Sequence, residues 1–464
     1  MTDPVDVRQR RREAALLLGA TFLAYANSFD GVFQFDDFLA VVDGPSVQSF
    51  SAWWQSMPGL RPLLKLTYAA NHESGLGLAG FHAMNLAVHA ACVLLTWKLL
   101  RHWLPEAGLD RARAGAAALL AALVFALHPV QTEAVTYLSG RSVSLTALFS
   151  LGFLVLGLRS RDGRDLWMAG ALACLLAALA TRETAWGAVP ALALLAAARG
   201  ERGRQLLRRL ALPAALLAVA ALAILALPPY RRLALNTLGR LDPAALFATQ
   251  VQAVAYLLTK PLLLLEVNID PHLVRRAAPD AGTGLMLAAL AVPVALAAWR
   301  WPRRPWLASA LIWPYVMLAP GYTVFARADV ANDRHLYLAL LGPALLAGAA
   351  LTALPRWPRG LAAAALCLVL GLVTVGRNTD YRSERALWTA TVAASPDKPR
   401  PWNNLGYALM LEGDLAGAER ALRRALALEP NYLRARHNLA LVQARRRERD
   451  VNLDDAASAG SAVR

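Results

Sequence analysis

The chain has 464 residues, 57% of them hydrophobic, with a mean hydropathy of +0.39 and a formal net charge of +16. Apolar residues arriving in long blocks at that proportion exceed what one soluble core holds, so the composition gives a multi-span membrane protein. The arginines lie in short segments between apolar runs, where the positive-inside effect needs them, which argues against a nucleic-acid surface; Cys92, Cys174 and Cys367 stand singly inside apolar runs and make neither a disulfide framework nor a zinc site.

Windows of about 20 residues place spans near 13–28, 80–100, 114–128, 142–158, 165–181, 184–198, 210–228, 282–299, 306–321, 335–353 and 358–376, about eleven in all. The first follows Arg8, Arg10, Arg11 and Arg12, and no small-residue cleavage site comes after it, so it is read as a retained span. Residues 246–265 are apolar enough for a twelfth. A crossing there would put Arg300, Arg303, Arg304, Arg356 and Arg359 outside, so a re-entrant or interfacial helix broken at Lys260-Pro261 is preferred.

With the N-terminus inside, the polar residues at span ends fall on the outer side. Asp36 and Asp37 follow the first span, and His82, Asn85 and His89 open the second. His128, Glu133 and Arg141 lie between the third and fourth, Arg182 and Glu183 follow the fifth, Asp270 and His272 lie in the long outer loop, and Asp333, Arg334 and His335 open the tenth. A charge at membrane depth costs about 2.5 kcal/mol or more, so this one-sided collection points to a functional cavity.

Asp36 and Asp37, between Phe35 and Phe38, suit a general base, or a base with a metal ligand beside it; a simple turn or helix cap is the plainer alternative. His82, Asn85 and His89 share a helix face at i, i+3 and i+7, a spacing that suits interhelical hydrogen bonding better than metal ligation. Glu133 suits a metal or an acceptor and Arg141 a phosphate, with capping and snorkelling as the alternatives. Arg182, Glu183 and Arg334 have the chemistry of a phosphate or diphosphate clamp, although Arg182 and Glu183 would also make an ordinary turn.

After the last span, Trp402, Leu405, Gly406, Leu409, Ala418, Leu422, Ala425 and Pro430 carry the spacing of a tetratricopeptide repeat. A degenerate half-unit ends near Pro396. Leu439 and Ala440 restart the pattern 34 residues after Leu405 and Gly406. The organisation expected is a membrane domain over 1–377, a repeat region over 378–446 and a small, polar, disordered tail over 447–464.

An ordered set of segments resembles the membrane-and-tetratricopeptide O-mannosyltransferase family, multi-span glycosyltransferases of the GT-C class that use lipid donors. The pieces are Phe35-Asp36-Asp37, Arg61-Pro62-Leu63, Phe81-His82 with Asn85 and His89, Leu127-His128-Pro129 with Glu133-Ala134-Val135, Gly140-Arg141-Ser142, Arg182-Glu183, Asn268-Ile269-Asp270 and Arg334-His335-Leu336-Tyr337, followed by the repeats. The resemblance implies an all-α, GT-C-like bundle that transfers a sugar, mannose above all, from a polyprenyl phosphate to a hydroxyl on a protein or glycan. It implies a multi-pass protein with its repeats outside the cytoplasm. The repeat array is much shorter than in animal members, which points to a bacterial inner-membrane protein with periplasmic repeats.

On this reading Asp36 and Asp37 are catalytic, and His82, His128, Glu133, Arg141, Arg182, Glu183, Arg334 and Tyr337 bind substrate. A divalent metal, Mg or Mn, would sit on Asp37 and Glu133. The competing reading is a non-catalytic membrane scaffold whose repeats recruit protein partners. A transporter would carry its charges near span centres, and here they sit at span ends.

Overall fold

The computed structural model describes residues 4–161, 163–228, 230–232, 235, 242–264, 266–323 and 329–461, and among these the only regular elements are helices. They form two units: residues 1–267 with 273–379, and residues 268–272 with 380–464.

The first unit contains α1 (Pro4–Tyr25), α2 (Pro62–Glu73), α3 (Gly77–Glu106), α4 (Arg111–Leu127), α5 (Arg141–Arg159), α6 (Leu166–Thr181), α7 (Ala188–Ala198), α8 (Gly203–Ala226), α9 (Pro243–Thr259), α10 (Ala281–Arg300), α11 (Pro305–Tyr322), α12 (Leu341–Leu351) and α13 (Arg356–Asn378). Several starts are legible locally. The Asp110 side chain accepts from Ala112 N at 2.9 Å, Asp165 from Met168 N at 3.0 Å, and Asp280 closes a capping box with Thr283.

The centre is a pack of α3, α4, α5 and α12 built on small residues. Ala117, Ala118 and Ala121 are fully buried, and a Cβ on Gly348 would stand 2.7 Å from Ala121 N, so α12 meets α4 backbone to backbone. By contrast, α8, α10 and α13 leave Leu222, Leu285 and Leu368 exposed, the outward apolar faces expected against lipid.

Five helical stretches are long and apolar enough to cross a membrane: Gly77–Glu106, Leu138–Arg159, Gly203–Ala223, Ala281–Arg300 and Arg356–Arg382. Two predicted spans are bent instead. Arg111–Leu127 turns by 53° into Pro129–Val135, and Asp333–Ala339 turns by 55° into Leu341–Leu351, while Leu166–Thr181 and Glu183–Ala198 are shorter apolar helices. The first bend follows from Pro129, which lacks an N–H and biases His128 towards extended backbone; His128 has φ −71° and ψ 129°. The helix over 243–259 ends at Lys260-Pro261, where the pattern predicts a break; residue 265 lies outside the described residues.

In the second unit α14 (Glu384–Ala394), α15 (Pro399–Leu411), α16 (Leu415–Leu428) and α17 (Leu433–Ser461) follow one another. A Cβ on Gly406 would lie 2.6 Å from Leu422 Cγ, and Ala418 is fully buried, so the two small positions of the motif are where α15 and α16 touch. Helix α17 packs on α16, with Ala435 and Val442 fully buried, and continues through the segment whose composition reads as a disordered tail; residues 462–464 lie outside the described residues. Asn268–His272 belongs to this unit. Asp270 accepts from Lys398 Nζ at 2.5 Å and from Arg400 Nε at 2.7 Å, so it is bound by the repeat and is not an open member of a cavity.

Candidate functional site

The chain leaves α1 through a short 3-10 turn and reaches Asp36 and Asp37 by way of Phe35, whose φ is +48°. A bulky residue in the left-handed region costs roughly 1–3 kcal/mol and persists only where surrounding contacts fix it. Those contacts are on Asp37, which is fully buried. Its Oδ2 accepts from Gln34 N at 3.0 Å, closing the turn, and its Oδ1 accepts from Ser139 N at 2.7 Å and from the Ser139 hydroxyl. Burial pushes the Asp37 carboxyl up to about 7 against the pull of these hydrogen bonds.

Asp36 is treated differently. Its backbone N–H donates to the Tyr137 hydroxyl at 3.0 Å, and its carboxylate, only partly buried, accepts no hydrogen bond from the described residues. Of two adjacent and chemically identical side chains, one is a structural anchor and the other an open acceptor.

The segments over 129–140 and 333–335 supply the surroundings. Glu133 accepts from Arg334 N at 2.9 Å and stands 3.7 Å from Arg334 Nε, so the two bent helix pairs meet through this ion pair. The Arg334 guanidinium lies 6.0 Å from the Tyr137 ring centroid and within electrostatic reach of Asp36. Close approach is built into Gly140, where a Cβ would fall 2.1 Å from Glu133 O.

Arg182 and Glu183, neighbours in sequence, part company. Glu183 takes both Arg61 Nη2 at 2.7 Å and Arg61 Nε at 3.2 Å, a bidentate pair formed by the second left-handed residue, Arg61 with φ +52°. Although burial opposes it, the Arg61 charge holds Glu183 down at about 2. Arg182 turns towards Ser142 Oγ at 3.4 Å and His335 Nε2 at 3.3 Å, and the other His335 nitrogen meets the Tyr322 hydroxyl at 2.5 Å. With Nε2 accepting from Arg182, Nδ1 carries the proton to Tyr322. These three side chains line a groove whose other walls include Val143, Ala147, Ala188, Met317, Leu318 and Leu338.

Four expected substrate contacts are occupied inside the bundle. The fully buried Arg141 guanidinium donates to Asn85 Oδ1 at 2.6 Å, Thr67 O at 3.2 Å and Phe81 O at 3.1 Å, and stacks 4.7 Å over Tyr68. It ties α2, α3 and α5 together, which is neither the capping nor the snorkelling considered for it, and presents no surface to a phosphate. His82 meets Gly31 O at 3.1 Å and so holds the loop that leads to Asp36. His128 accepts from Val130 N and meets Pro261 O at 3.1 Å. Tyr337 is fully buried with its hydroxyl 2.7 Å from His89 Nδ1.

The metal expectation does not fit these residues: Asp37 is held by Ser139 and Gln34, Glu133 by Arg334, and no group of three or more metal-binding side chains occurs among the described residues. Sequence reasoning does not assign Tyr137, Ser139 or Tyr322 to the site, places His335 only in the one-sided collection at span ends, and uses Arg61 only as part of a motif. No spacing rule links Ser139 to Asp37, because the contact spans 102 positions.

A tetratricopeptide repeat model matches residues 399–432. The chain is 34% identical over 161 residues to protein O-mannosyl-transferase TMTC4 of Mus musculus, covering 30% of this chain and 22% of that protein. It is 29% identical over 188 residues to protein O-mannosyl-transferase TMTC3 of Homo sapiens, covering 37% and 20%, and 30% identical over 172 residues to protein O-mannosyl-transferase F38B6.6 of Caenorhabditis elegans, covering 32% and 24%. The chain thus spans about a fifth to a quarter of the length of these relatives. The resemblance read from the ordered motifs and the names of these relatives agree.

Proposed function

We propose that the chain is an integral-membrane glycosyltransferase that moves a sugar, mannose in the first instance, from a polyprenyl phosphate to a hydroxyl of a protein acceptor on the extracytoplasmic face. The observation that carries this reading is the division of labour at the acidic pair: Asp37 is buried and fixed, while the Asp36 carboxylate is left open beside Arg334. The named relatives support the transfer of mannose to protein, and the repeat supports a protein acceptor or partner. Arginine-rich segments at the other end of the spans support a cytoplasmic location for that end and, for a bacterial inner membrane, periplasmic repeats.

Asp36 accepts the proton of the acceptor hydroxyl as its oxygen bonds to the anomeric carbon. The bond from that carbon to the phosphate oxygen breaks, and the polyprenyl phosphate leaves with the electron pair. Such a leaving group is already anionic and needs no acid; Arg334 and Arg182 supply the charge that stabilises it. The groove headed by Arg182 and His335 offers apolar walls to the first isoprene units of the donor. Arg61 and Glu183 neutralise one another and serve to fix the turn that bears them.

The test is transfer of labelled mannose from polyprenyl-phosphate mannose in membranes containing the full chain. Asp36→Asn is expected to lose transfer by about 10²–10⁴-fold, with thermal stability unchanged because its carboxylate holds nothing. Wild-type membranes that transfer neither mannose nor another polyprenyl-linked sugar, yet retain partner capture by the repeat, would establish the scaffold reading in its place.

A further inference from the structure

We propose that the Lys98 end of the bundle binds an anionic phospholipid bearing two phosphates, in paired hollows on either side of α3. The first hollow is bounded by α3, α5, the end of α7 and the start of α8, and takes in Lys98, His102 and Arg159. The second lies between α1 and α3 and takes in Arg10 and Arg11 as well as Lys98 and His102. The two therefore share a wall made of one lysine and one histidine.

The acidic groups in and beside these hollows are already taken. Glu201 accepts from Arg209 Nε at 2.6 Å and Glu106 pairs with Arg199 at 2.7 Å. Glu13 accepts from Arg101 at 2.7 Å and from the Trp97 indole at 3.2 Å. Lys98, His102 and Arg159 have no carboxylate partner among the described residues. The charges that act most strongly on His102 are Arg159, Arg10, Lys98 and Arg101, all cationic.

Positive-inside placement alone explains arginines in the connecting loops. It does not explain cations gathered around two hollows whose neighbouring arginines are turned away into ion pairs. A basic recess between helices at the headgroup level is the arrangement that recognises an anionic lipid. Apolar surface stands next to the charge: Val7 lines the second hollow, and exposed Trp167 lies 5.3 Å below the Arg159 guanidinium with Leu166 90% exposed beside it. A free phosphate has no use for that surface, whereas acyl chains do. Two hollows with a common wall suit two phosphates joined through one glycerol.

The test is native mass spectrometry of the full chain in detergent, titrated with cardiolipin, phosphatidylglycerol or phosphatidylcholine, with inorganic phosphate as competitor. Cardiolipin is expected to bind about tenfold or more tightly than phosphatidylcholine, with phosphatidylglycerol between them. The pair Lys98→Gln and Arg159→Gln should weaken cardiolipin about tenfold, and Lys98→Arg with Arg159→Lys should keep it within about twofold. His102→Gln, on an exposed side chain, gives a smaller loss and serves if the double variant does not fold. Equal binding of cardiolipin and phosphatidylcholine, or unchanged binding in the glutamine variants, overturns the proposal. Phosphatidylglycerol matching cardiolipin overturns the two-phosphate reading, and full competition by millimolar inorganic phosphate overturns the lipid reading.

Discussion

At the Asp36 end of the bundle charged side chains are held by partners across long stretches of sequence: Glu133 by Arg334, Glu183 by Arg61, and Asp37 by hydrogen bonds from the turn at Ser139. About 25 Å along α3 from His82, at the Lys98 end, cations outnumber the carboxylates available to them among the described residues. The first arrangement fixes positions, as a reacting centre requires. The second creates a field, which needs no such close placement. Both are electrostatic, yet substitutions should affect them very differently.

The largest effect on stability is expected from Asp37. Its folded-state carboxyl sits near 7, above its ordinary 3.8, so the folded protein holds this proton more tightly than the unfolded chain. Stability from this group is therefore present below about pH 4 and lost as pH rises through about 7, a change on the order of 4 kcal/mol. Thermal unfolding in detergent from pH 4 to 8 measures it, and Asp37→Asn should flatten that slope; an unchanged slope would remove Asp37 as its source. Next comes Gly140→Ala, which places a methyl 2.1 Å from Glu133 O and should cost about 2–3 kcal/mol by forcing the two turns apart. Denaturant unfolding reads that loss, and sugar transfer should fall with it.

Glu183→Gln leaves the Arg61 guanidinium without its charge partner in a partly exposed site and is expected to cost about 2 kcal/mol. Glu183→Asp, too short to reach both nitrogens, should lie between. At the opposite end, Arg159→Gln in lipid-free detergent should change stability by less than about 0.5 kcal/mol, because Arg159 is exposed and pairs with no carboxylate among the described residues. A loss as large as that of Glu183→Gln would erase the contrast between the ends.

Much of this plan is legible in the order of the residues. Gly406 and Ala418 announce a helix pair in close contact because a tetratricopeptide unit repeats its small residues at fixed spacing, and the contact lies within one pair of neighbouring helices. The polar span ends are legible too, because charge is costly in lipid and therefore conspicuous. The spans at 114–128 and 335–353 are only half legible. Hydropathy marks them as apolar, and it does not show that each bends to bring Glu133 and Arg334 together.

Neighbouring residues are enough to specify the helical class, the apolar blocks, the repeat and the acidic pair itself, since each depends on positions a few places apart. Packing between distant segments is what makes Asp37 the anchor and Asp36 the open carboxylate, sets Arg141 to tying helices and gives Glu183 to Arg61. The difference is one of range: two adjacent aspartates are equivalent until a serine 102 residues away supplies hydrogen bonds to one of them, and a guanidinium takes whichever buried acceptors the packing brings within reach.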